Sequence, residues 1–283
     1  MGARILHVSD LHVGAQAEDP AVEQALRSFA ERERPELVVA SGDLSHRAKR
    51  DQHERAASLL RGLGFPVLAV PGNHDIPWSP SRLTHPFAEF DRAWESREPV
   101  FRSRLLHVVG INSVRPLRQQ SGAVGRAALE RATAALWEAA TGAFRVAVLH
   151  HQLLGAPWRT RKRPVAHRDR VLGALADAGA ELIVSGHAHQ AAVAERHEFE
   201  VVGGAARSVV LSTGPGLGRP RPKRVGEARG FHVYEADARS VGIRTYVWLD
   251  GDWSLTAVRR FARGSAAGTD RGARDDGAGY ASP

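Results

Sequence analysis

Residues 5–12 read ILHVSDLH, and the same pattern returns four times: LVVASGD at 37–43, VLAVPGNHD at 67–75, VAVLHH at 146–151 and LIVSGHAH at 182–189. In each stretch a short apolar run of strand character ends and delivers Asp, Asn or His at once. Asp10 and His12 follow the first run, Asp43 the second, and Asn73, His74 and Asp75 the third. His150 and His151 follow the fourth, and His187 and His189 the fifth. Loops at strand ends carry the chemistry of layered folds, so five such ends define a shared rim. On an extended segment, residues two apart project to one side, so Asp10 with His12 and His187 with His189 are expected to face one cavity. Gly42, Gly72 and Gly186 permit sharp turns and close backbone approach at these ends.

Helix-period segments near 20–34, 51–63, 125–140 and 167–178 separate the apolar runs, so strands and helices alternate. In the first helix Asp19 is placed to cap, and Pro20 suits the first helical position. Gly179 reads as a helix terminator. After residue 190 the period changes to two, with strands expected near 207–212, 230–235, 241–248 and 253–261. The fold class is α/β: two packed mixed β-sheets flanked by helices, in one domain over 1–263. From Gly264 to Pro283 apolar residues almost vanish, and a disordered C-terminal tail is expected.

Composition narrows the chemistry. Among 283 residues there is no cysteine, so any metal must be held by oxygen and imidazole, and there are 14 histidines to supply the latter. An Asp–His–Asn donor set suits Mn²⁺, Fe or Zn²⁺ better than Mg²⁺ or Ca²⁺, which prefer oxygen alone. The formal charge of +8 favours anionic partners, although Arg-rich composition also follows from base-composition bias. No apolar run is long enough to span a membrane, and the chain opens without a leader-like segment, so a cytoplasmic protein is expected.

The ordered set Asp10-x-His12, Gly42-Asp43, Gly72-Asn73-His74-Asp75, His150-His151 and Gly186-His187-x-His189 resembles the calcineurin-like metallophosphoesterases over about 180 residues. That resemblance implies a four-layer αββα sandwich holding two divalent metal ions. By motif, Asp10, His12 and His189 would hold one ion and Asn73, His150 and His187 the other, with Asp43 bridging. His74 would contact the phosphoryl oxygen and protonate the leaving group, and Asp75 would orient its ring. The physics agrees: two cations about 4 Å apart clamp an in-line displacement, and a bound water reaches a pKa of about 7, giving the attacking hydroxide. A bridging carboxylate offsets repulsion between the cations, which neutral imidazole cannot do. Taken singly, each motif reads as an ordinary turn or core histidine; five together do not.

The second and third motifs depart from the phosphoprotein phosphatases, which have Gly-Asp-x-x-Asp-Arg-Gly and Gly-Asn-His-Glu. The opening His7-to-His12 segment and Gly186-His187-Ala188-His189 look more like the bacterial class III cyclic nucleotide phosphodiesterases. A small anionic phosphodiester, with a 3′,5′-cyclic nucleotide foremost, is therefore the expected substrate. A DNA-processing nuclease with a nucleic-acid partner is the second reading, and a non-catalytic scaffold the third. His151 adjoins a ligand position but would point to the opposite side, so structural and substrate-contact roles stand equal; Gln152 replaces a proline common in relatives. His7, His107 and His232 read as core or surface residues. Two Arg-rich segments, 159–170 and 219–229, read as solvated loops, with substrate contact as the alternative.

Overall fold

Strand β1 (Ala3–Val8) sends alternate side chains to two destinations. Leu6 and Val8 join the core under the helices, whereas Ala3 and Ile5 join the core between two sheets. The computed structural model describes residues 2–263 apart from 18, 119, 156–161, 200–207 and 222–225, so the predicted tail over 264–283 lies outside the described residues. In chain order β1 is followed by α1 (Pro20–Glu33), β2 (Leu37–Ala40), α2 (Arg50–Arg61), β3 (Val67–Ala69), α3 (Ser81–Thr84) and α4 (Ala88–Ala93). Next come β4 (Val100–Arg102), β5 (Leu106–Ile111), α5 (Arg126–Trp137), β6 (Phe144–Leu149), α6 (Arg168–Asp177) and β7 (Leu182–Ser185). The chain closes with β8 (Ala192–Glu195), β9 (Val210–Thr213), β10 (Gly230–Ala236), β11 (Ser240–Leu249) and β12 (Asp252–Ala262).

One six-stranded sheet has the order β12-β11-β10-β1-β2-β3 and the other β4-β5-β6-β7-β9-β8. Both are mixed, because β1 runs parallel to β2 but antiparallel to β10, and β9 runs parallel to β7 but antiparallel to β8. Val22, Leu26, Phe29 and Leu60 of α1 and α2 cover the first sheet; Leu129, Leu136, Leu172 and Leu175 of α5 and α6 cover the second. Ile5, Val39, Val146 and Val184 fill the space between the sheets. The layers are therefore α, β, β, α, as expected. The short edge strands β4 and β8 and the small helices α3 and α4 were not legible in the sequence, since three to six residues hold too little of either period.

One local reading changes. Asp19 makes no side-chain cap hydrogen bond to α1; its carboxylate accepts from Arg229 Nη1 at 2.7 Å. The polar side chains of the inter-sheet core are linked in a chain that leaves only His232 Nε2 without a hydrogen-bond partner among the described residues. His7 Nε2 meets Ser41 Oγ at 2.8 Å and its Nδ1 meets the Tyr234 hydroxyl at 2.8 Å; that hydroxyl donates to Ser212 Oγ at 2.9 Å, which lies 3.0 Å from His232 Nδ1. Burial drives His232 down to about 3. Unfolded, the ring binds a proton from about pH 6.5 downward, whereas folded it stays neutral to about 3, so stability is complete above pH 6.5 and falls as pH drops through that window. Denaturant unfolding of metal-stripped protein should lose roughly 2 kcal/mol between pH 7 and pH 5 from this ring. His232→Gln should remove that part of the pH slope.

Candidate metal centre

The five predicted strand ends converge on one rim, but they do so through loops rather than through strand alternation. Asp10, His12, Asp43, His187 and His189 all have positive φ, between 48° and 67°. This left-handed conformation is costly for residues with a Cβ and persists only where surrounding contacts impose it, as at functional sites. Those contacts are visible. Asp10 N donates to Gly42 O at 2.9 Å, His12 N to Asp43 O at 2.9 Å, and Gly186 N to His150 O at 3.0 Å. The loops approach so closely that a Cβ on Gly72 would collide with the backbone and carboxylate of Asp43, and one on Gly186 with Ser9 and Asp10.

Asp43 belongs to two donor groups at once. Asp10, His12, Asp43 and His189 place one ligand atom each within 4.8 Å of one another, and so do Asp43, His150 and His187. Asn73 Oδ1 joins the second group at 3.2 Å from His150 Nε2. These are the seven residues whose motifs implied metal binding, in the two sets the resemblance implied. The arrangement fits a cation pair on three counts. Asp10 Oδ1 and Asp43 Oδ2 are buried without a hydrogen-bond partner among the described residues, while their sister oxygens are anchored: Asp10 Oδ2 by Ser9 Oγ and His187 N, and Asp43 Oδ1 by His74 N. His150 Nδ1 donates to Ser41 O at 2.8 Å and His187 Nε2 to Gln120 O at 2.9 Å. That aims His150 Nε2 and His187 Nδ1 at each other across 3.1 Å, two ring nitrogens available to a cation once it displaces the His150 proton. Finally, the rings are predominantly in ligand form. Burial drives His12 down to about 3, and burial followed by Lys162 holds His187 well below the imidazole range.

The carboxylates and His150 show the converse effect. Burial opposes charge on Asp43, yet the facing imidazoles, His150 foremost, hold its carboxyl well below the carboxylate range; Asp10 shifts the same way against His189. Burial disfavours charged His150, but Asp43 outweighs it and pushes the ring up to about 9. A proton held there is one that an incoming cation displaces.

His74 lies beside this centre, its ring 4.7 Å from that of His12. Its Nδ1 faces His46 O at 2.9 Å. The expectation that Asp75 orients this ring is corrected by the structure. The Asp75 carboxylate accepts from Gly72 N, Leu44 N, Ser45 N and Ser45 Oγ, so it holds the Asp43 loop against the Asn73 loop while a backbone carbonyl orients His74. His151 is fully buried, with Nδ1 2.9 Å from Ser113 Oγ and its ring packed at 4.7 Å on His187, which favours the structural role. Gln152 is buried as well.

Three neighbours were missed. Lys162, in the described part of the first Arg-rich segment, brings Nζ to 3.3 Å from His187 Nδ1. His46 stacks on His74 at 5.5 Å, and exposed Trp78 lies 5.7 Å from His74 with Arg47 over its ring. None follows an apolar run as the motif residues do; only the Arg-rich composition of 159–170 pointed towards Lys162, and nothing local singled out His46 or Trp78.

The chain belongs to the calcineurin-like phosphoesterase family, whose model matches residues 3–191. It is similar to a probable cyclic nucleotide phosphodiesterase, syc0937_d, of Synechococcus sp., at 30% identity over 167 residues, covering 57% of this chain and 61% of that protein. It is also similar to the glycerophosphodiester phosphodiesterase GpdQ of Enterobacter lignolyticus, at 33% over 82 residues, covering 25% and 29%. A third relative is the DNA double-strand break repair protein Mre11 of Aeropyrum pernix, at 36% over 87 residues, covering 26% and 21%. The chain thus spans less than two thirds of each relative's length. Its fold is similar to that of purple acid phosphatase PPD1 from yellow lupin, with a TM-score of 0.68 at 12% identity, covering 93% of this chain and 54% of that one. A dimetal phosphatase from Danio rerio gives a TM-score of 0.63 at 14%, covering 93% and 99%. Among the described residues, no helix is long and apolar enough to cross a membrane.

Proposed function

We propose that this chain is a dinuclear-metal phosphodiesterase acting on a small phosphodiester, with a 3′,5′-cyclic nucleotide as first candidate. The observation that carries the reading is the pair of His/Asp groups sharing the buried carboxylate of Asp43. Asp10, His12 and His189 would hold one ion and Asn73, His150 and His187 the other, with Mn²⁺, Fe or Zn²⁺ suited to these donors. Bound cations supply Lewis-acid polarisation of the phosphoryl oxygens and a more acidic bound water. The chain's own residues do the rest. Ser9 Oγ and His187 N fix the Asp10 carboxylate, and His74 N fixes that of Asp43, so little reorganisation is needed during reaction. His74, with Nδ1–H tied to His46 O, donates from Nε2 to the departing alkoxide when doubly protonated.

The test is a panel of cyclic nucleotides, glycerol-type diesters, single- and double-stranded DNA and phosphomonoesters, with Mn²⁺. Diester turnover should exceed monoester turnover, vanish on chelation and return with Mn²⁺. Full activity after exhaustive chelation would overturn the reading. A polynucleotide substrate is the second reading, supported by the similarity to Mre11 and by exposed Trp78 beside His74, a surface on which a base can stack. A log–log salt slope near −0.7 per phosphate contact on single strands would favour it.

A further inference from the structure

A cavity of about 330 Å³ opens directly beside the candidate metal centre, with His12, His74 and His189 forming the wall they share. Beside these rings an apolar wall is formed by Leu11 and Val13 from the loop after β1, Val22 and Leu26 from α1, Leu59 from α2 and Leu217 from the loop after β9. Charged side chains also line it, four arginines and two acids, each held in an ion pair. Asp19 lies between Arg229 at 2.7 Å and Arg219 at 3.7 Å, Arg55 meets Glu23 at 2.6 Å, and Arg221 meets Glu227. Asp19 and Glu23 are thereby matched, while the exposed Arg219, which shares the Asp19 oxygen already held by Arg229, leaves one positive charge in excess at the cavity's solvent side; the apolar wall lies away from it. This also accounts for Asp19, which the sequence placed as a helix cap and the structure turns towards the arginines of 219–229.

We propose that this cavity seats the uncharged, largely apolar substituent carried by one alcohol of the phosphodiester. The proposal rests on the phosphodiester reading above and narrows its substrate class. A phosphate at the Asp10, His12, Asp43 and His189 group has the cavity as its immediate neighbour, because His12 and His189 belong to both. Burial of apolar surface then contributes binding that a short-chain ester cannot obtain, at roughly fourfold in affinity per buried methylene. The same chemistry is offered by an alkyl chain and by a nucleobase.

The experiment is calorimetry on the Mn²⁺-loaded full chain with methyl, butyl and octyl phosphate and with adenosine monophosphate as probes. Affinity should rise at least tenfold from methyl to butyl phosphate, with an increasingly negative heat-capacity change. Ala17→Trp, at an exposed position of the lining, should remove that gain and leave methyl phosphate binding unchanged. Leu59→Glu, at a half-buried position, should act in the same way. Tighter binding of octyl phosphate than of the nucleotide assigns the cavity to an alkyl chain, and the reverse order assigns it to a base. Affinity independent of chain length, or a gain that survives both substitutions, overturns the proposal. A chain-length gain with no hydrolysis of any diester would retain the cavity and overturn the phosphodiesterase reading instead.

Discussion

Asp43→Asn is expected to lower kcat/KM on any diester substrate by about 10³-fold or more and to reduce bound metal from two ions per chain to one or fewer. The side chain is fully buried, Oδ1 receives His74 N at 2.7 Å, and Oδ2 has no hydrogen-bond partner among the described residues. An amide of the same shape keeps the first contact, so the loop should survive, but it carries no charge to offset repulsion between two cations. Loss of Lewis-acid stabilisation worth several kcal/mol is a loss of about three orders of magnitude or more in rate. Metal analysis by plasma spectrometry alongside kinetics checks both halves, and the melting temperature of the stripped variant reports the fold separately. Two retained ions with full turnover would sink the shared-carboxylate mechanism.

His74→Ala should separate chemistry from metal binding. The ring lies outside the two Asp43-sharing groups, and its Nδ1 is held by His46 O, so its removal leaves all seven proposed ligands in place. Metal content should stay at two per chain while kcat falls about 10²-fold or more on diesters with alkyl leaving groups. On activated aryl diesters, whose leaving groups need little protonation, the loss should be much smaller. Equal losses on both would argue that His74 positions the phosphate rather than protonating the alkoxide.

The layering, the strands that feed the site and the convergence of Asp10, Asp43, Asn73, His150 and His187 were legible because each rests on a local signal. An apolar run of period two ends and a donor residue follows within a few positions. Resemblance of the ordered motifs then divided the donors into two sets, and the fold brings the same residues together around Asp43. The sequence could not specify how the donors are aimed. Strand alternation was the expected device, yet five of the residues sit in the left-handed region, held by hydrogen bonds between loops more than 30 residues apart in sequence. For the same reason Asp75 could not be read correctly: its partners Leu44 and Ser45 come from another loop. The cavity beside His12 and His189 is more remote still, since its walls come from α1, α2 and the loops after β1 and β9. Periodicity encodes which face of an element is buried, a property of neighbours in the chain; the sequence by itself determined the layers and the donors on that basis. Side-chain aim, hydrogen-bond partnership and cavity shape depend on distances between distant segments, and those only the tertiary structure decided.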